Sequence, residues 1–373
     1  MEIYFARALS SFLGRPAFVP VPRFARIIES LYRGLDISTM NAIEKGISFI
    51  VPVYNARETV IETLASIVNQ NIQRRFQVVV VDDGSTDQSL QCVRDWLNRA
   101  DYDTGRITIQ LATQENGGEA AAMNTGISLA EYPLIAWVES DVTIHREWCN
   151  VLLDELENGR VAGAGGILYP AENEPAIARI FGYEITCKIR MNANPVRHIT
   201  SANAMYKKAV LDEVGPCRVN LGESSFDSDI NQRIRDAGYY LHCNPLANAW
   251  HRFKTGIVDC LIRAWWYGLR RPYVKSQVLY AMDRYIGILV LLSGLLYPAL
   301  VGLFWTAYTS LALMGLILTA HLAYSLFLFI LFRDPILLVS APVYLLRNCV
   351  FILAYGIGWI VKGLEQKRDK NVS

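Results

Sequence analysis

The sequence has 373 residues, of which 52% are hydrophobic and 19% charged, which allows one α/β domain and a further element. Its formal net charge of +1 at pH 7 argues against nucleic acid as a partner. The seven cysteines show no paired spacing, which argues against a disulfide framework or zinc site and favours a reducing cytoplasm.

Residues 1–45 mix arginines with aromatic side chains, and Phe24–Leu35 predicts a short amphipathic helix. Basic and aromatic residues together suit the interface of a membrane. An N-terminal arm packed on the following domain explains the same pattern equally well. We expect no signal peptide, because arginines interrupt every apolar run in this segment.

Strand-like and helix-like segments alternate from Ile47 to Val138. The strands are near-continuous apolar runs, which predicts an α/β fold with a mostly parallel sheet and helices on both faces. A capping box at Asn55–Glu58 is expected to begin the first helix. The predicted strands are Ile47–Val53, Gln77–Val81, Ile107–Leu111 and Leu134–Val138, with helices around Val60–Val68, Leu90–Leu97 and Glu119–Leu129.

Polar residues follow three of these strands, where ligands of parallel sheets gather. Among them, Glu139 and Asp141 lie one residue apart, and a hard divalent cation bridging to phosphate is the natural complement of such close carboxylates. A turn or helix cap is the alternative for each acidic cluster. His251, after a strand around Tyr239–Cys243, becomes a candidate ligand only through the suspected metal site. The three clusters are Tyr54-Asn55, Asp82-Asp83 and Glu139-Ser140-Asp141.

A further acidic cluster, Asp227-Ser228-Asp229, opens a predicted helix. Asp227 shares a face with the apolar Ile230 and Ile234, so we expect it to point inward and to suit a general base. Asp229 is turned about 200° away and is expected to point outward. Acidic residues in a first helical turn also favour the helix dipole, and this reading stays open.

The C-terminal part of the chain is strongly apolar. Ile286–Trp305 and Leu311–Phe332 are each long enough to cross a bilayer, which needs about 20 apolar residues. A third apolar stretch, Pro335–Val361, is followed by a basic tail that favours the cytoplasmic side. We therefore expect this stretch to be a broken, re-entrant or interfacial pair of helices around Pro342–Arg347.

The ordered motifs resemble those of the family 2 glycosyltransferases with a GT-A fold. Each motif alone is weak, but their common order over residues 46–270 is specific. The motifs are Ile50-Val51-Pro52-Val53-Tyr54-Asn55, Val81-Asp82-Asp83-Gly84-Ser85-Thr86-Asp87, Asn116-Gly117-Gly118, Met123-Asn124-Thr125-Gly126, Glu139-Ser140-Asp141 and Asp227-Ser228-Asp229-Ile230.

The resemblance implies roles for these residues. Asp141 would bind Mn²⁺ or Mg²⁺ on the donor diphosphate, with Glu139 in place of the family's first aspartate and His251 completing the site. Asp227 would be the catalytic base of an inverting transfer, although Phe226 occupies the acidic position that precedes it in the family. Substrate-binding roles are expected for Pro52, Tyr54, Asn55, Asp82, Asp83, Gly118, Asn124, Glu139, Ser140 and Trp265.

The sequence thus predicts three parts: an N-terminal segment (1–45), a GT-A catalytic domain (46–270) and a membrane domain (271–373). We expect an inner-membrane enzyme with a cytoplasmic catalytic domain, which transfers sugar from a nucleotide sugar, with UDP favoured, to a lipid-linked or membrane-associated glycan. The alternatives are a processive polysaccharide synthase, although the Gln-x-x-Arg-Trp motif of such enzymes is not formed around Cys260–Gly268, and a non-catalytic membrane scaffold. Assembly into a homo-oligomer stays open.

Overall fold

The computed structural model describes residues 46–372, apart from residues 100–101, 104, 222–225, 254–255 and 271–302. The predicted N-terminal segment and most of the first predicted span, Ile286–Trp305, lie outside the described residues.

The α/β domain, the described residues from 46 to 270, is built on an eight-stranded sheet with the order β3-β2-β1-β4-β7-β6-β8-β5. The first four strands are parallel, as predicted, while β7 runs antiparallel to both of its neighbours and β5 antiparallel to β8. The sheet is therefore mixed in its second half. The strands are β1 Ile47–Val53, β2 Phe76–Asp82, β3 Ile107–Thr113, β4 Leu134–Val138, β5 Val142–Ile144, β6 Val161–Pro170, β7 Asn203–Lys207 and β8 Tyr240–His251.

Helices cover both faces of the sheet, which confirms the predicted α/β fold. In β1, Phe49 and Val51 pack into one apolar core and Ile50 into another, so both faces of the strand are buried. The helices are α1 Val60–Val68, α2 Ser89–Leu97, α3 Glu119–Ser128, α4 Trp148–Leu156, α5 Ala176–Arg190, α6 Lys208–Val214, α7 Phe226–Asp236, α8 Ile257–Arg270, α9 Leu303–Phe332 and α10 Ala341–Val372.

The predicted capping box at Asn55–Glu58 is wrong. Thr59 is the N-cap residue of α1 and makes no side-chain capping bond. Asn55 has a positive φ of 51°, and its side-chain oxygen accepts from the backbone N–H groups of Thr86 and Asp87 at 2.8 and 3.2 Å. The asparagine thus organises the loop after β2, a long-range contact that local spacing does not reveal.

Two C-terminal helices contain segments long and apolar enough to cross a membrane, Gly315–Phe332 and Ala341–Glu365. Only 11% and 17% of these segments is buried within the protein, unlike the core helices of a soluble domain. The break predicted at Pro342–Arg347 is wrong, because α10 is continuous from Ala341. Pro342 lies in the first helical turn, where its missing N–H costs nothing. The chain instead turns between α9 and α10, through a short 3₁₀ helix, Pro335–Val339.

Helix α5 of the α/β domain packs against this pair of apolar helices. Phe181 of α5 joins Leu328, Leu337 and Tyr344 in one buried cluster. Arg179, also on α5, donates to the Asp334 carboxylate at 2.8 Å in the turn between α9 and α10. Both apolar and charged contacts therefore hold the α/β domain against the apolar helices.

Candidate functional site

Two carboxylates and one imidazole meet beyond the carboxyl end of β4. The chain leaves β4 at Glu139 and enters β5, where Val142 pairs with His251 of β8. This pairing brings the Nε2 atom of His251 within 3.2 Å of Asp141 Oδ1 and 3.9 Å of Glu139 Oε2. One ligand atom from each of the three residues lies within 4.8 Å of the others.

The charges of this cluster perturb one another. Burial raises the pKa of Glu139, and with the smaller contribution of the Asp141 carboxylate it outweighs the opposite influence of His251, so the pKa is raised overall. Burial lowers the pKa of His251, but the carboxylates of Asp141 and Glu139 outweigh it and raise the pKa overall. Carboxylates that repel each other and share a histidine are a donor set that fits a divalent cation.

Two further features define the cluster. Ser201 Oγ donates to Glu139 Oε1 at 2.9 Å and so fixes the glutamate, whose side chain is longer than the aspartate of the family motif. The Nδ1 atom of His251 is buried and has no hydrogen-bond partner among the described residues. Nothing in the sequence singled out Ser201, because its contact spans the distance from β4 to the segment before β7.

At the end of β2 the two neighbouring aspartates have different surroundings. Asp83 is 2% exposed and accepts from Gln114 Nε2 at 2.7 Å and from the backbone N–H groups of Gly117 and Gly118 at 2.9 and 2.8 Å. Asp82 is also buried, but its Oδ1 atom has no hydrogen-bond partner among the described residues. Asp83 therefore shapes the loop before α3, while Asp82 keeps an acceptor atom for an N–H or O–H group of a ligand.

The other predicted substrate-binding residues of the first half fall into two groups. Tyr54 is 49% exposed beyond β1, where its ring is accessible for stacking. Pro52 is buried within β1, and Asn124 is paired with the backbone of Cys217 through two hydrogen bonds of 2.8 Å. Together with Asn55, which holds the loop after β2, Pro52 and Asn124 shape the site from within the fold. Ser140 lies half-buried between Glu139 and Asp141.

Asp227 is the second residue of α7. Phe226, the residue before it, is buried against Trp137 of β4, with ring centroids 6.2 Å apart. The apolar residue at the family's acidic position thus seats the start of α7 near the end of β4. Asp227 Oδ2 lies 3.4 Å from His198 Nε2, a contact that the sequence did not suggest.

Asp229 is not directed to solvent as predicted. Its side chain is only 13% exposed, and it forms ion pairs with Arg218 at 3.0 Å and Arg233 at 2.8 Å. The turn of about 200° from Asp227 is therefore real, but another segment of the chain covers that side of the helix.

Helix α8 contributes two side chains near the acidic site, Arg263 and Tyr267. The charge of Arg263 acts on both Glu139 and His251, and Tyr267 is within electrostatic reach of Asp227 and Glu139. These two residues lie four apart, on one face of the helix, which is a spacing that could have identified them. Trp265, the residue predicted from this region, is half-buried on α8.

A cavity of about 340 Å³ adjoins Asp141, within the size range of small-molecule pockets. Its lining includes Thr59, the N-cap residue of α1, together with Glu62 of α1, Thr143 of β5 and Arg252 after β8. Arg252 donates to Glu62 at 3.0 Å across this space. Asp141 of the acidic cluster therefore borders a polar cavity.

Known proteins resemble part of this chain. A glycosyltransferase, AglE, of Haloferax volcanii is 26% identical over 197 residues, 52% of this chain and 63% of that protein. A poly-beta-1,6-N-acetyl-D-glucosamine synthase of Staphylococcus epidermidis is 23% identical over 266 residues, 66% of this chain and 62% of that protein. The chain thus matches less than two thirds of the length of each of these relatives.

The fold also has a counterpart among solved structures. The mannosyltransferase PcManGT from Pyrobaculum calidifontis, solved in complex with GDP-Man and Mn²⁺, superposes with a TM-score of 0.59. The match covers 95% of this chain and 93% of that one at 17% sequence identity, so it is a likeness of fold. Residues 48–215 match the family described as "Glycosyl transferase family 2". Residues 48–215 therefore carry the features of a glycosyl transferase family 2 domain, and the fold is of the GT-A type that the motifs predicted.

Proposed function

We propose that this family 2 glycosyltransferase transfers one sugar from a nucleoside-diphosphate sugar, with inversion, to a lipid-linked or membrane-associated glycan. The observation that carries the proposal is the convergence of Glu139, Asp141 and His251 within 4.8 Å at the carboxyl end of the parallel strands. Mn²⁺ or Mg²⁺ held there would neutralise the charge that develops on the leaving diphosphate.

Donor binding is the role we assign to the neighbouring strand ends. Asp82 offers a buried carboxylate oxygen with no partner among the described residues, which can accept from a ring N–H of the base or a ribose hydroxyl. Tyr54 follows β1, the strand next to β2, and its ring is exposed so that a base can stack on it. Asp83, Asn55, Gly118 and Asn124 support this pocket through their backbone and loop contacts. UDP sugars are the first donors to test, because UDP is the usual donor nucleotide of the family that the motifs resemble.

The chemistry requires one base. As the acceptor oxygen bonds to the anomeric carbon, the bond from that carbon to the diphosphate breaks, and the hydroxyl proton passes to Asp227. Asp227 suits this step because it lies in the first turn of α7, shares Tyr267 as an electrostatic neighbour with Glu139 and keeps 18% of its side chain exposed. Arg263 and Tyr267 of α8 contribute side chains to the site, because both lie within electrostatic reach of Glu139.

The acceptor side faces the membrane in our proposal. The segments Gly315–Phe332 and Ala341–Glu365 are proposed to span the inner membrane, with the catalytic domain in the cytoplasm. Their contacts with α5 support a catalytic site held close to the bilayer surface, where a lipid-linked acceptor is available.

Polymerisation is the second candidate, because one relative is a poly-beta-1,6-N-acetyl-D-glucosamine synthase. Product length separates the two proposals. A single added sugar for each acceptor excludes a processive synthase, whereas a ladder of longer products excludes single transfer.

The test is a donor screen on the purified full-length protein, with release of nucleoside diphosphate as the readout and Mn²⁺ or Mg²⁺ added. The Asp227→Asn variant should lose about 10²–10⁴-fold in kcat, the usual contribution of a positioned base, and should bind nucleotide normally. More than a tenth of wild-type turnover in this variant would remove Asp227 as the base. Absence of release with every donor would favour the non-catalytic scaffold instead.

A further inference from the structure

His198 lies between Asp227 and a buried asparagine in the segment that precedes β7. The start of this segment is anchored to β8, because Val196 N–H donates to the carbonyl of Leu241 at 2.8 Å. Three residues after the histidine, Ser201 donates to Glu139. One short, anchored segment therefore contacts both the proposed base and the acidic cluster.

The hydrogen bonds of Asn231 determine which nitrogen of His198 carries the proton. Asn231 is fully buried in α7, and its amide nitrogen donates to the carbonyl of Ile199 at 2.6 Å. A carbonyl only accepts, so the amide cannot be flipped. The same nitrogen lies 3.0 Å from His198 Nδ1, and Tyr206 Oη donates to the amide oxygen at 3.1 Å. His198 Nδ1 must therefore accept a hydrogen bond.

A neutral imidazole that accepts at Nδ1 carries its proton on Nε2. That Nε2 atom lies 3.4 Å from Asp227 Oδ2, an electrostatic contact slightly longer than a standard N–H···O hydrogen bond. The other oxygen, Oδ1, accepts from the backbone N–H of Ser228 at 2.6 Å. Each oxygen of Asp227 therefore has one polar neighbour and retains a lone pair for a proton.

We propose that His198 is a positioning residue for catalysis, which donates from Nε2 to Asp227 in the tautomer that Asn231 imposes. The proposal rests on the assignment of Asp227 as the base in the proposed function. His198 fixes the rotation of the carboxylate, so that one oxygen faces the acceptor hydroxyl. A second proton on Nδ1 would oppose the Asn231 donor, so the proton taken from the acceptor stays on Asp227.

The chain offers a matched control in a second histidine–carboxylate pair. His242 of β8 lies with its Nδ1 atom 2.7 Å from Glu155 Oε2 of α4. The two side chains of this pair are 20% and 21% exposed, and neither belongs to the site described above. Loss of this contact tests whether a partly buried histidine–carboxylate pair matters in general or only beside Asp227.

Three variants of the full-length protein test the role by activity. His198→Phe keeps the ring but loses the donor, and its kcat should fall about ten- to hundredfold, the worth of one hydrogen bond to a charged group. Its KM for the donor sugar should stay within about twofold, because the nucleotide pocket is unchanged. His198→Gln should recover at least part of the loss, since its side-chain amide can donate from a similar position. His242→Phe should leave kcat unchanged.

Several outcomes would overturn the proposal. These are a His198→Phe kcat above half of wild type, a His198→Gln variant no better than His198→Phe, and an equal loss in His242→Phe. If Asp227→Asn is inactive and His198→Phe is fully active, only the positioning role fails. If Asp227→Asn is itself active, the proposed base fails.

The tautomer of His198 can be measured by NMR, independently of enzyme activity. The protein has five histidines, so a ¹⁵N-histidine-labelled sample gives few signals, and the His198→Phe spectrum identifies that of His198. We expect the wild-type His198 to carry its proton on Nε2. A proton on Nδ1 would refute the hydrogen-bond argument, whatever the kinetic result.

Discussion

Replacement of Glu184 by glutamine should weaken the packing of helix α5 of the α/β domain against the C-terminal helices. Glu184 lies on α5 with only 4% of its side chain exposed, and its Oε1 atom lies 2.7 Å from Lys188 Nζ. Its other oxygen accepts from the guanidinium of Arg347, on α10. Glutamine keeps the shape but removes the charge, which leaves Arg347 without its anionic partner in a largely buried position.

The magnitude follows from the electrostatics of the carboxyl group. Burial raises the pKa of Glu184, but Lys188 and Arg347 outweigh it and lower the pKa from 4.5 to about 2. At 1.36 kcal/mol for each pKa unit, this difference corresponds to about 3 kcal/mol of stability. The figure agrees with the cost of about 3–5 kcal/mol for removing one partner of a buried ion pair.

The sign of the pH dependence follows from the same shift. The folded-state pKa of Glu184 lies below its unfolded value, so its contribution is complete at neutral pH. It is lost as the pH falls from about 4.5 toward 2, where the carboxylate becomes protonated. The wild type should therefore lose stability on acidification more steeply than Glu184→Gln.

The assay is thermal unfolding of the full-length protein in detergent micelles at neutral pH. A loss of about 3 kcal/mol lowers the Tm by about 6–12 °C, at about 2–4 °C per kcal/mol for a domain of this size. Asp212→Asn is the matched control, because it removes the exposed ion pair with Lys208 and should change the Tm by less than about 2 °C.

Two results would refute this reasoning. A Glu184→Gln Tm within about 2 °C of wild type would mean that the ion pair does not hold α5 on α10. A second test adds Arg347→Met to Glu184→Gln, which should restore much of the stability because no buried charge is left unpaired. A double variant less stable than Glu184→Gln alone would contradict the assignment of the loss to the unpaired arginine.

His251→Ala removes the imidazole of the acidic cluster, and we expect the Mn²⁺ concentration for half-maximal activity to rise at least about tenfold, as measured by nucleoside diphosphate release. Unchanged Mn²⁺ dependence would exclude His251 as a ligand. Leu322→Arg places a charge on an exposed face of α9 at a cost of about 2.5–3.5 kcal/mol for insertion, so the protein should become extractable from membranes by alkaline carbonate. The control Leu246→Arg, on the exposed surface of β8, should remain membrane-bound, and equal behaviour of both variants would contradict the proposed span.

The first half of the sheet could be predicted closely from the sequence. The bounds of β1 and β4 agree with prediction to the residue, because parallel strands buried on both faces are continuous apolar runs. Strand β6 was not predicted, because glycines weaken its strand signal. The structure gives a reason for them: a Cβ at Gly166 would lie 1.7 Å from the carbonyl oxygen of Ala247. Only close approach of β6 and β8 makes glycine favourable there.

The apolar helices likewise combine a feature that the sequence predicts with one that it does not. The length of apolar sequence predicts membrane-spanning segments, because it depends on composition alone. The position of the turn between them did not follow, since Pro342 is compatible with either the middle of a break or the first turn of a helix. Contacts of Asp334 with Arg179 and of Tyr344 with Ile180 hold the turn before α10, and these contacts are long-range.

By itself, the sequence determined the strand–helix order, the acidic residues at the ends of the strands and the family that their motifs resemble. The tertiary structure decided which polar atoms have hydrogen-bond partners within the protein. Asp83 and Asn124 are occupied by backbone partners, whereas Asp82 keeps a buried oxygen without one among the described residues. It also brought His198 to Asp227. The reason is physical: apolar periodicity is a local property, but the hydrogen-bond partners of a side chain depend on which distant segments the fold brings beside it.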